Sequence, residues 1–330
     1  MSGTGKTGMA KTKSQKRTSA EMEDIRRKLE YFQSLPDFVR RCKIYDDNED
    51  GSLRPRFLYK YQPFNVDRPN SIKYVRDIIV ENKLYLCPPN NFNDPFDTGA
   101  HVYVDGSAGE IRRKLYEIGR DNGMTRKEAE AEAEAAFIMK RGIVHDEKFE
   151  MGFEASMEQM KNEVGIFCFA GDPRSILMWS HYGSNHSGIC IQFQRYNDLP
   201  NLIDLQKVKY VKEYPSVNWL SDTYQNELLN VLSTKREIWD YEKEQRLFDP
   251  QGAGNYRAIN PSAVVSIILG CSFFSTGKEK ENVDALHTLL TERDKLGYPP
   301  LKIYQAIRHR QQYRIAVISS KTFVSMLGNE

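Results

Sequence analysis

The chain has 330 residues, of which 40% are apolar, 11% aromatic and 28% charged, with a net charge of +2. That is material for one large packed domain or two modest ones, and the near-balanced charge excludes binding of polyanions by net charge alone. No apolar run approaches the ~20 residues that span a bilayer, no leader-like segment is written, and Cys42, Cys87, Cys168, Cys190 and Cys271 include no C-x-x-C pair, so the chain reads as a cytoplasmic protein with reduced thiols, no membrane contact and no zinc site.

Residues 1–20 carry Lys6, Lys11, Lys13, Lys16 and Arg17 without one acid. With almost nothing apolar to offset ordering entropy, they read as a disordered, solvated basic tail, able to touch nucleic acid or an anionic surface only weakly. GTGKT within it imitates a phosphate-binding loop, but that loop works only between a buried strand and a helix, and no strand is written ahead of it. Residues 21–55 read as an N-terminal helix (Ile25, Leu29, Phe32), broken at Pro36, and a turn-rich linker, DDNEDGSLRP.

Residues 56–330 read as a single domain. FLYKY predicts a strand, SIKYVRDIIVENK a helix with Ile72, Val75, Ile78 and Ile79 on one face, and LYLC a second strand. A proline- and asparagine-rich loop, PPNNFNDPFD, follows. Residues 108–163 read as a charge-laced helical insert with a capping box at Thr125-x-x-Glu128. VGIFCFA predicts a buried strand; Asp172-Pro173 reads as a helix start and Gly183 as its left-handed end. GICIQF and KVKYV predict strands, residues 219–235 a helix, and AVVSIILG another buried strand. Thr276-x-x-Glu279 reads as a second capping box, and LKIYQAI with YRIAVIS as a hairpin. The expected fold class is α+β: one mixed, mainly antiparallel sheet with flanking helices.

Three stretches concentrate chemistry. WSHYGSNHSG places Ser180, His181, Tyr182 and His186 between two buried strands, which reads either as a polar turn or as the wall of a pocket. Five residues of helix would turn His181 and His186 to different faces, so no shared metal is expected. Read as a strand, WDYEKEQRLF puts Asp240, Glu242, Glu244 and Arg246 on one face. If that face is buried, neighbouring carboxylates repel and one pKa rises, while Arg246 holds the other charged. NNFNDPFD reads as a turn stabilised by its own side chains, with Asp94 able to orient a histidine.

The strings LYKY, LYLCPPNNFNDPFD, MWSHYGSNHSGICIQF and KREIWDYEKEQR resemble an uncharacterised bacterial family of domains of unknown function that occurs in phage-defence regions. The order of elements is also remotely similar to ADP-ribosyltransferases. That resemblance implies a bacterial transferase of toxin or defence type, with NAD as substrate and no metal. It assigns the NAD grip to Lys60 or Tyr61, support of the nicotinamide half to Tyr182 or Ser180, and stabilisation of the ribosyl cation to Glu244 with Glu242 beside it. His181 joins the catalytic set; His186, Asp94 and Arg246 join the binding set. The acceptor, nucleic acid or protein, stays open. Two other readings compete: a metal-dependent nuclease built on Asp94, Glu242, Glu244 and a histidine, and a non-enzymatic ligand-sensing or interaction module.

Overall fold

A computed structural model describes residues 43–45, 53–139, 155, 157–202, 205–220 and 224–328. The basic tail, the expected N-terminal helix and part of the insert lie outside the described residues. The chain divides into two compact units at Phe57. In the first, Lys43–Tyr45 pairs antiparallel with Leu53–Pro55.

The second unit is an α+β fold. Its main sheet has five strands: β1 (Phe57–Gln62), β4 (Ile189–Gln194), β10 (Val264–Leu269), β11 (Lys302–Arg308) and β12 (Ile315–Ser319). Their order is β12-β11-β10-β4-β1, and only the β10–β11 pair is parallel, which makes the sheet mixed and mainly antiparallel. Crossing between β10 and β11 requires a long connection, supplied by helix α6 (Glu279–Lys295). Helices α1 (Pro69–Ile79) and α6 pack their apolar stripes against one face, where Leu58, Val75, Ile79, Ile191, Phe193, Ile267 and Leu286 form the core.

Smaller strands extend this frame and build the site. Strand β3 (Gly165–Phe169) pairs antiparallel with β8 (Gln245–Asp249), which also pairs with β5 (Gln206–Lys207). β3 is tied to the main sheet where Tyr59 and Ala170 exchange backbone hydrogen bonds of 3.0 and 2.7 Å. β2 (Lys83–Tyr85) pairs with β9 (Tyr256–Ala258). β6 (Lys209–Val211) pairs with β7 (Thr234–Arg236), here in parallel. The insert contains α2 (Ala108–Asp121) and α3 (Arg126–Met139).

Several local expectations need correction. WDYEKEQRLF is not one strand: Glu237–Glu242 is a 3₁₀ turn, Lys243 adopts a left-handed φ of 47°, and β8 begins only at Gln245. The Lys243 amide closes that turn on the Asp240 carbonyl, which breaks the alternation and leaves Asp240 exposed. Of the helix expected over 219–235, the described residues show α5 (Tyr224–Leu232): Trp219 and Leu220 lie in a turn, Ser233 ends the helix and Thr234–Arg236 turns into β7.

Asp172 and Pro173 precede helix α4 (Ile176–His181) without capping it: Ser175 accepts the Met178 amide, while Asp172 closes its own turn on the Arg174 amide. Gly183 is not left-handed. That conformation falls on Ser184, Asn185 and His186, and Gly183 is needed because a Cβ there would meet the Trp179 ring at 2.6 Å. The Thr125–Glu128 capping box forms; at α6 the cap position is Lys278, and Glu279 accepts the Gly277 amide instead.

Candidate active site

A cavity of about 400 Å³ opens where β1, β3, the NDPFD loop and the Glu237–Glu244 segment meet. β1 contributes Tyr59, Lys60 and Tyr61, β3 contributes Phe167, Cys168 and Phe169, and the end of α4 contributes Tyr182. Lys235, Glu242, Glu244 and Asp97 complete the polar wall. The chain reaches this geometry because β3 is bridged to β1 on one side and paired with β8 on the other, so Glu244, one residue before β8, is delivered next to Cys168.

The polar wall is a buried ion network. Arg246, fully buried, donates Nε to Glu244 Oε1 at 2.8 Å and Nη2 to both Asp97 oxygens at 2.9 and 2.7 Å. Its Nη1 donates to the Leu232 carbonyl at 2.6 Å. Lys235 Nζ lies 2.7 Å from Glu242 Oε2, 3.2 Å from Asp97 and 3.5 Å from Glu244. The remaining Glu242 oxygen accepts a 2.8 Å hydrogen bond from the Tyr182 hydroxyl, which in turn accepts from the Asn93 amide. Three carboxylates therefore face two cations.

Burial and pairing separate the two glutamates. Burial penalises the charge of Glu244, but Arg246 and Lys235 outweigh it and hold the carboxyl well below the usual range. For Glu242, burial and the nearby Glu244 charge prevail over Lys235 and Tyr182, and its pKa is raised. Burial likewise pushes the Tyr182 phenol up, which keeps it a neutral donor.

The residues picked out in the sequence separate cleanly. Lys60, Tyr61, Tyr182, Glu242 and Glu244 line the same cavity, and Arg246 stands behind it as the cation that fixes Glu244. Tyr61 turns its hydroxyl away, onto the Asp172 carbonyl at 2.6 Å, and packs its ring edge-on to Trp179. Lys60 donates to the Cys168 carbonyl at 3.1 Å and lies over the Phe167 ring.

His181, Ser180, His186 and Asp94 are outside the lining. His181 is exposed and stacks on Tyr241 beside Trp239. Ser180 Oγ and His186 Nε2 meet each other at 3.1 Å, with His186 against Trp179. Asp94 accepts the Phe96 amide and shapes the loop.

Two members of the network escaped the sequence reading. Asp97, three residues past Asp94, is the loop carboxylate that enters the site; the NDPFD string contained it. Lys235 was read as a helix residue, and nothing in the pattern set it apart. Among the described residues no group of three or more histidine, cysteine, aspartate or glutamate side chains is placed to hold a metal ion, and Lys235 and Arg246 occupy the space between the three carboxylates.

Residues 178–247 match a family described as Protein of unknown function (DUF2971), which fits the expected kinship with an uncharacterised family. The matched stretch contains Tyr182, Lys235, Glu242, Glu244 and Arg246, and leaves out β1 and the NDPFD loop. No curated protein and no solved structure matches the chain. Among the described residues no helix is long and apolar enough to cross a membrane.

Proposed function

We propose that this cavity cleaves NAD in the manner of an ADP-ribosyltransferase of bacterial defence or toxin type, acting in the cytoplasm, with Glu242 as the carboxylate that faces the reacting ribose. The observation that carries the reading is convergence: Tyr61, Tyr182 and Glu242, from three distant segments, line one cavity of about 400 Å³, within the usual range for a small-molecule site.

Glu244 is less suited to the role that the family likeness assigns it. Both of its oxygens are held by Arg246, and Lys235 approaches one of them. Among the described residues, the other oxygen of Glu242 meets only the Tyr182 hydroxyl. In the proposed step the C–N bond between ribose and nicotinamide breaks, and its electron pair neutralises the departing pyridinium ring. The positive charge left on the ribose is stabilised by ionised Glu242, fixed in place before the charge appears. An acceptor then forms the new bond at the same carbon, and Glu242 takes its proton. Tyr182 fixes the Glu242 rotamer, Arg246 and Asp97 hold the wall, and Lys60 offers a point charge to a phosphate, without the planar bidentate grip of an arginine.

A metal-dependent nuclease on Asp94, Glu242 and Glu244 is disfavoured because Lys235 and Arg246 already engage the two glutamates and Asp94 lies outside the cavity lining.

The test is nicotinamide release from NAD, with single-stranded oligonucleotides and mixed protein offered as acceptors, by the wild type and by Glu242→Gln. The proposal expects release by the wild type and its loss in a folded Glu242→Gln variant. No release from the wild type with any acceptor rejects it and leaves a ligand-sensing or interaction module as the reading.

A further inference from the structure

Part of the cavity rim has a different character from the ion network. In the β2–β9 ribbon Tyr85 pairs with Tyr256 and Lys83 with Ala258, so Lys83, Tyr85 and Tyr256 share one face. Helix α1 lays Lys73 and Asp77 against that face, with Tyr74 beside Lys73: Lys73 Nζ lies 2.8 Å from Asp77, 3.0 Å from the Tyr256 hydroxyl and 5.8 Å from the centre of the Tyr74 ring. Lys83 reaches the same aspartate at 3.4 Å. Both ammonium groups lie over the Tyr256 ring, 5.5 and 4.8 Å from its centre. Tyr85 meets Tyr256 edge to face at 5.4 Å. Tyr74 and Tyr256 nevertheless remain 45% and 42% exposed.

This is more than one ion pair needs. Two lysines around one carboxylate leave a positive charge unmatched, and two large rings stay open to solvent beside it. Rings open to solvent stack on unpaired bases, and neighbouring ammonium groups follow the phosphates. Tyr74, Asp77, Lys83 and Tyr85 also line the cavity, so a strand held here would pass its mouth.

We infer that the Lys73–Tyr74–Lys83–Tyr256 rim is a docking surface for single-stranded nucleic acid. The binding stands on the rim alone; that the bound strand is also the acceptor of the transferred group rests on the NAD reading.

The experiment is fluorescence anisotropy of the full chain, without NAD, on a labelled mixed-sequence single strand of about 12 nucleotides, a length suited to such grooves. The wild type binds. Tyr74→Ala and Tyr256→Ala each weaken binding about fivefold or more, as loss of one stacked base predicts. Tyr256→Phe, which keeps the ring and loses its hydrogen bonds to Lys73 and Asp77, retains binding. Changing Lys73 and Lys83 together to Gln lowers the slope of log affinity against log salt by about 1.4.

The basic residues before position 20 are controlled by Lys11→Gln, Lys13→Gln and Lys16→Gln in one full-length chain. Absence of binding, binding lost only in that tail variant, or binding unchanged in Tyr74→Ala and Tyr256→Ala overturns the inference. Because no NAD is present, failure of the catalytic reading leaves this result untouched.

Discussion

The cavity is bordered by two clusters built from the same parts, a carboxylate, a lysine and a tyrosine, and they behave differently because the cations of one are buried and those of the other, around the buried Asp77, reach solvent. In the inner cluster Glu242, Glu244, Asp97, Lys235 and Arg246 are all nearly inaccessible. In the rim cluster Lys73 is 56% and Lys83 33% exposed around Asp77. Water screens the rim pairs and makes each worth little, whereas an unpaired charge in the inner cluster has nothing to replace its partner. The inner cluster therefore fixes a geometry and shifts proton affinities, and the rim keeps side chains free for a visitor.

The largest effect should come from breaking the inner cluster. Arg246→Met strands Asp97 and Glu244 in the interior and should cost about 3–5 kcal/mol, read by urea denaturation. Its pH dependence carries a sign. Glu244 has a lowered folded-state pKa, so its contribution is present above the ordinary carboxylate value of about 4.3 and is lost as pH falls through the folded value. In Arg246→Met that acid-side loss of stability should be much smaller than in the wild type.

Next, Glu242→Gln should lower nicotinamide release by about 10²–10³ with the fold intact, the scale of losing one preorganised stabilising group. Because the Glu242 pKa is raised, the wild-type rate should fall as pH drops through a value above the normal glutamate range. Tyr182→Phe removes a hydrogen bond to the charged form, so it should cost about 1 kcal/mol of stability and move that acid limb further up. Smallest of all, Lys73→Ala should leave the melting temperature unchanged, in contrast to any inner-cluster variant. A clear destabilisation there would erase the distinction between the clusters.

Much of this architecture is legible in the residues. The strand pattern of LYKY, GICIQF and AVVSIILG gives three strands of the main sheet, and FCFA gives β3 beside it, because buried strands read as apolar runs bounded by turns. The association of Glu242, Glu244 and Arg246 is legible too, although by another route than strand alternation: a 3₁₀ turn and the left-handed Lys243 bring the two glutamates to one wall. Asp97 is hard to see because its role depends on pairing between distant segments, and Lys235 because the turn into β7 hides it at the end of what reads as a helix. Arg246 lies 149 positions from the Asp97 that it holds, and no local periodicity encodes that. The histidines misled for a related reason: a dense polar turn looks the same in sequence whether it lines a cavity or packs on a tryptophan, as His186 does on Trp179.

The division of labour between the two glutamates is open to direct observation by a ¹³C NMR titration of glutamate side-chain carboxyls in the wild type and in Glu242→Gln. One carboxyl should titrate above the normal glutamate range in the wild type and vanish in the variant, while Glu244 stays ionised below that range. If the high-titrating signal persists in Glu242→Gln, or if Glu242 titrates at or below the normal value, Glu242 is not the carboxyl that burial leaves short of a full cation partner, and its proposed role at the ribose falls with it.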